Sequence, residues 1–73
     1  MAETLLVGDR PINLTQVLKL CGWADNGGHA KLLIAEGLVF VNGVVETRKR
    51  RQMAPGDTVQ LDIEDAPTPI TLA

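Results

Sequence analysis

The dipeptide Asn42-Gly43 sits between Phe40-Val41 and Val44-Val45, and that setting leaves the backbone few options. A two-residue Asn-Gly connection adopts a type I′ turn, whose twist matches that of paired antiparallel strands. The flanking residues must therefore pair. Leu38–Val41 is predicted as one strand, and the return strand begins at Val44-Val45-Glu46. Gly37 stands just upstream, where it can end a helix in the left-handed conformation. The stretch Ala30–Gly43, A-K-L-L-I-A-E-G-L-V-F-V-N-G, thus reads as a short amphipathic helix, a glycine stop, a strand and a hairpin turn. The basic run Arg48-Lys49-Arg50-Arg51 follows on the returning strand or just past it.

The rest of the chain supplies elements to hold this unit. Asn13 is a good N-cap, Gln16 completes a capping box, and Ile12 with Val17 occupy the positions of a hydrophobic staple. Leu14, Val17, Leu18 and Cys21 then follow helical spacing, and Gly22 provides the stop. Asn26 caps a second helix over about Gly27–Glu36, with Ala30, Leu33 and Ile34 on its inner face and Lys31 on the flank. Pro55-Gly56-Asp57 makes a turn, and Thr58–Ile63 alternates apolar and polar with the period of a strand. Thr4–Val7 and Pro69–Leu72 are predicted as short first and last strands. The fold class expected is α+β, with two short helices packed on a small, mostly antiparallel sheet.

Seventy-three residues make one domain, predicted to span 1–73. A chain this short buries only about 60% of the surface its unfolded form exposes. One cysteine, Cys21, rules out an internal disulfide or a zinc cluster, and its place on the apolar side of a helix suits a small buried hydrophobe. No apolar run has the length of a membrane span or the charged flank of a secretory signal, so the expected compartment is a reducing cytoplasm. No cofactor is expected. Aromatics are confined to Trp23 and Phe40, too few for a platform that stacks several bases.

Net charge is −2, which alone argues against a nucleic-acid partner, but the distribution is bipolar. Between Gly28 and Arg51, five basic residues face two acidic ones, net +3, whereas the remainder carries two basic and seven acidic residues, net −5. One basic face on an acidic domain fits steered binding to a polyanion; a solvated hairpin is the plainer reading. Gly27 and Gly28 at the start of the second helix also carry two readings. They can open its free N–H groups to a phosphate, or simply permit a tight inter-helix turn. Trp23 can cover the core between the helices or stack on a base. His29 lacks the cysteine, second histidine or spaced carboxylate that would make it a ligand, and no P-loop sequence is present.

The run A-x-x-L-I-x-x-G-x-V-x-V-N-G at Ala30, Leu33, Ile34, Gly37, Val39, Val41, Asn42 and Gly43 resembles the core of a known family. With the basic stretch and the late Gly56-Asp57, it is similar to the small RNA-binding domain first seen in ribosomal small-subunit protein S-four. The preceding L-x-x-V-L-K-L-C-G-W fits that family's first helix, and the resemblance covers roughly Ile12 to Ile63. Small stand-alone bacterial members with G-W-x-x-x-G and A-K before the leucines look closest. The resemblance implies an RNA-binding protein with two helices and a small sheet. Many members place Ser-Arg at the start of the second helix, where the arginine touches RNA. Asn26 and Gly27 occupy those positions here, so the cap survives and the arginine contact is lost.

The expected mechanism is phosphate-led. Lys31 and the run Arg48, Lys49, Arg50 and Arg51 would line a groove between the second helix and the hairpin. Asn42 and the Gly28 backbone would add shorter hydrogen bonds. Strand alternation means that not all four can face the same side, so one alternate pair, either Arg48 with Arg50 or Lys49 with Arg51, is expected to lead. The partner expected is structured RNA, with ribosomal RNA a candidate, gripped by a monomer with no membrane or small-molecule substrate. The rival is a protein-interaction module whose basic run docks an acidic partner. A β-grasp sulfur carrier is disfavoured because the sequence ends Leu72-Ala73 rather than Gly-Gly. No nucleophile with a paired catalytic group is present, so an enzyme is not expected.

Overall fold

The computed structural model describes residues 3–73. In chain order the elements are β1 (Glu3–Leu5), β2 (Ile12–Asn13), α1 (Leu14–Leu20), α2 (Gly27–Ala35), β3 (Val39–Val41), β4 (Val44–Val45), β5 (Gln52–Met53), β6 (Thr58–Leu61) and β7 (Ile70–Leu72). Five strands form one sheet in the order β1-β7-β6-β3-β4, and β2 pairs with β5 separately. All pairings are antiparallel except β1 with β7, which is parallel. The two helices pack on this mixed, mostly antiparallel sheet, as the sequence pattern predicted.

Local chemistry explains why the helices begin and end where they do. The Asn13 side chain accepts from the Gln16 N–H while the Asn13 N–H donates to the Gln16 side chain, each at 2.9 Å. Removing such a cap costs about 1 kcal/mol. At the far end Gly22 takes a φ of +80°, and the N–H groups of Gly22 and Trp23 return to the carbonyls of Lys19 and Leu18. Gly37, at φ +74°, closes α2 in the same way, with Gly37 and Leu38 donating to Ile34 and Leu33. This is the Schellman stop, and it needs a residue that tolerates the left-handed region.

The core lies between the helices and one face of the sheet. Leu14, Val17 and Leu18 from α1, Ala30 and Ile34 from α2, and Val39, Val41, Val59, Leu61, Ile70 and Leu72 from the strands are all buried. Each large side chain buried in full contributes roughly 2 kcal/mol of transfer free energy. Trp23 and Leu33 are partly buried against this cluster, which fits the core-covering reading of Trp23. Cys21 is half-buried, its thiol donating to the Leu18 carbonyl at 3.5 Å; burial pushes its pKa up.

The hairpin forms at the predicted dipeptide. Asn42 and Gly43 take φ of +52° and +83°, and Phe40 pairs with Val45 and Val41 with Val44. One expectation fails here. The strand after the turn ends at Val45, with only the Glu46 N–H reaching back to the Val39 carbonyl at 2.9 Å. Residues 47–51 carry no strand, so alternation along the basic run does not apply. Instead the run bends into a turn, closed by the Arg51 N–H donating to the Arg48 carbonyl at 3.1 Å. The chain then returns to strand at β5.

Candidate nucleic-acid interface

The turn Arg48–Arg51 is docked on the N-terminus of α1. Helix geometry leaves the first N–H groups of α1 without intrahelical partners. The Leu14 N–H donates to the Arg51 carbonyl at 2.9 Å and the Thr15 N–H to the Lys49 carbonyl at 3.3 Å. The Thr15 hydroxyl donates to that same Lys49 carbonyl at 2.7 Å. Backbone of the basic run thus satisfies helix donors, while the side chains of Lys49 and Arg50 are left exposed.

On its other side the turn is held by Glu46, a buried carboxylate. Arg48 grips it with two parallel bonds, Nε to Oε2 and Nη2 to Oε1, each 3.0 Å, and the Arg48 N–H adds a third at 3.0 Å. Arg51 Nε lies 3.0 Å from Oε1. Hydrogen bonding from the Arg48 side chain, then from its backbone N–H, holds the Glu46 pKa down to about 2, outweighing the effect of burial. Contact with Glu46 raises the pKa of Arg48 in turn.

Arg51 carries the network onward. Its Nη1 lies 3.3 Å from Asp57 Oδ2, and the same nitrogen approaches the Gln52 carbonyl and Met53 Sδ. Asp57 also accepts from the Ala54 N–H at 2.9 Å and from Asn42 Nδ2 at 3.0 Å. Burial acts to raise the Asp57 pKa, but the bonds from Asn42, Ala54 and Arg51 together bring it below the ordinary value. Asn42 Oδ1 accepts from the Thr58 N–H at 2.9 Å, so both ends of its amide are engaged.

The seven residues singled out in the sequence therefore fall into different settings. Arg48, Arg50 and Arg51, with Gln52, line one open hollow of about 600 Å³. Lys49 and Arg50 occupy the middle of the turn, exposed, with no carboxylate within ion-pair distance among the described residues. Arg48 is 74% exposed despite its bidentate pair. Arg51 is 24% exposed and turned inward. Lys31 stands exposed on α2, and neither it nor Gly28 belongs to the lining of the hollow. Gly28 sits at the capped start of α2, where Asn26 accepts from the His29 N–H at 2.9 Å. Another cleft, about 440 Å³, lies beside α1, with Arg10, Pro11, Lys19 and Leu20 among the residues that line it.

Glu46, Thr15 and Asp57 were not nominated from sequence, yet they set the geometry of the loop. The available signal was Glu46 itself, a lone carboxylate between Val45 and four consecutive cations. Among the described residues no group of side chains could hold a metal ion, and no helix is long and apolar enough to cross a membrane.

Comparison with known proteins agrees with this fold. A family model described as the S4 domain matches residues 5–67. YbcJ of Escherichia coli (strain K12) is 49% identical over 57 residues, covering 77% of this chain and 81% of that one. The Bacillus subtilis (strain 168) protein named "Probable ribosome maturation protein RlbA" is 34% identical over 62 residues, covering 85% and 87%. A solution structure of E. coli YbcJ, described as revealing an αL motif involved in RNA-binding, superposes with a TM-score of 0.71 at 39% identity. It covers 100% of this chain and 89% of that one. The family match spans most of the sequence, and the chain belongs to the S4 domain family.

Proposed function

We propose that this protein binds structured RNA by its phosphate backbone, using the turn Arg48–Arg51 as the contact surface. The observation that carries this reading is the pair Lys49 and Arg50, unpaired and exposed at the tip of a turn whose own backbone is tied down on two sides. The free face of Arg48 lies beside them, and Arg51 holds the turn from within. Lys31 and the first N–H groups of α2, including that of Gly28, would add phosphate contacts of their own, outside the hollow. The description of the YbcJ structure supports RNA as the polyanion, and the name of the B. subtilis relative makes ribosomal RNA the first structured RNA to try.

Recognition of this type reads shape and phosphate rather than base identity, in keeping with the scarcity of aromatics. Neutralising three or four phosphates gives a slope of log K against log salt of roughly −3 to −4. The test is fluorescence anisotropy with a hairpin RNA and an unstructured RNA at two salt concentrations, comparing wild type with a variant carrying serine at positions 48–51. Tight, salt-sensitive hairpin binding by wild type alone is expected. Equal binding by both proteins would remove the basic turn from the mechanism, and no binding by either would favour an acidic protein partner.

A further inference from the structure

Two polar or charged residues are buried among those described, Thr15 and Glu46, and both hold the same loop. Thr15 fixes its backbone from the helix side, and Glu46 fixes its side chains from the sheet side. An ion pair whose main arginine is 74% exposed is weak evidence for stability, because water screens the attraction while the carboxylate has given up its hydration. A buried carboxylate directly beneath a phosphate-binding surface is also unfavourable by simple Coulomb reasoning, since it repels the ligand. Its position therefore calls for another role, and the bonds it makes supply one.

We propose that Glu46 is a positioning residue of the RNA-binding loop. Anchored to the sheet, its carboxylate sets Arg48 and Arg51 in place before RNA arrives, so that Lys49 and Arg50 are presented from a fixed turn. This rests on the RNA reading above and adds to it the means by which the surface is organised. Without Glu46, the four consecutive cations would repel one another, and the segment has no strand ladder to resist them. The Glu46 N–H is tied to Val39 of the neighbouring strand, so its carboxylate leaves the sheet at a defined place. Three donors from Arg48 then converge on it, and the Arg51 guanidinium pairs with it at 3.0 Å. A rigid array loses less conformational freedom when it binds than a mobile one, and binds correspondingly tighter.

Charge and positioning predict opposite signs, which makes the idea decidable. Glu46→Gln removes one negative charge close to the site, and Glu3→Gln removes the same charge from the opposite edge of the sheet. Hairpin-RNA affinity is measured for wild type, both variants and Glu46→Asp, with a melting curve for each. The expected result is roughly tenfold weaker binding by Glu46→Gln. Glu3→Gln should match wild type or bind slightly tighter, and Glu46→Asp should recover part of the loss. Glu46→Gln binding as tightly as wild type, or tighter, overturns the proposal.

Should Glu46→Gln fail to fold, the wild-type protein still decides. In RNA-free protein the Nε–H resonances of Arg48 and Arg51 should exchange slowly with water and differ from that of Arg50. Resonances indistinguishable from Arg50 would show a mobile loop and overturn the proposal. Failure of the RNA reading looks different. Wild type would then bind no RNA while the two arginines remain protected, leaving Glu46 a structural residue only.

Discussion

The hydroxyl of Thr15, on the first turn of α1, donates to the carbonyl of Lys49, in the basic turn, across 2.7 Å and 34 residues of sequence. This bond and its neighbours make the start of a helix the platform for a run of four cations. The same carbonyl also accepts from the Thr15 N–H, so one threonine fixes the turn twice. Thr15→Val keeps the shape of the side chain and the N–H bond but deletes the hydroxyl donor. Such a loss costs about 1 kcal/mol, and the melting temperature should fall by roughly 4–8 °C. Thermal unfolding followed by circular dichroism checks this.

Asn42 combines a positive φ with two side-chain hydrogen bonds, to Asp57 and Thr58. Replacement by glycine loses the bonds but suits the backbone, whereas alanine loses the bonds and adds left-handed strain. Asn42→Ala should therefore destabilise by about 2 kcal/mol or more, and Asn42→Gly by less. Urea unfolding of the two variants measures the order, and a reversed order would contradict the assignment.

The two glycines that begin α2 should respond differently to a methyl group. A Cβ on Gly27 would meet nothing within 4 Å, whereas one on Gly28 would lie 3.3 Å from Asn26 Oδ1, the capping oxygen. Gly27→Ala is predicted to stabilise by up to about 1 kcal/mol, through helix propensity and reduced freedom of the unfolded chain. Gly28→Ala should gain less, because its methyl crowds the cap. The Cβ position at Gly27 is open, and Gly27→Arg, which restores the cation that the family resemblance implies there, should tighten RNA binding.

Acid should loosen the loop within a defined window. The folded pKa of Glu46 is about 2, below the ordinary 4.5, so its contribution to stability is complete above pH 4.5. It is lost as pH falls from 4.5 toward 2, because the unfolded state takes up the proton first. Asp57 is lowered too and acts in the same direction. Stability measured at pH 7, 4 and 2.5 should show wild type converging on Glu46→Gln as acid removes the difference between them. A gap between the two proteins that stays constant over this range would contradict the Glu46 network.

What the sequence made legible was local. The Asn13–Gln16 capping box, the Gly22 and Gly37 stops and the Asn42-Gly43 turn each depend on residues a few positions apart, and each formed where its pattern placed it. The pairings that close the molecule depend on residues brought together by the whole fold. The parallel β1–β7 register and the β2–β5 pair had no short-range signal. The basic run was visible as a source of charge, but its shape was not. Whether four cations lie on a strand or bend into a turn is decided by Glu46 below them and Thr15 beside them, and sequence proximity shows neither contact in advance. Lys49 and Arg50 emerge as the exposed pair only once Arg48 and Arg51 are seen engaged with Glu46.

The most direct test of the account is amide chemical-shift mapping of the labelled protein during titration with a short RNA hairpin. The largest changes should fall at Arg48, Lys49 and Arg50, with smaller ones at Lys31 and the start of α2. Changes centred on Arg10, Lys19 and Leu20 beside α1, with the basic turn unmoved, would contradict it.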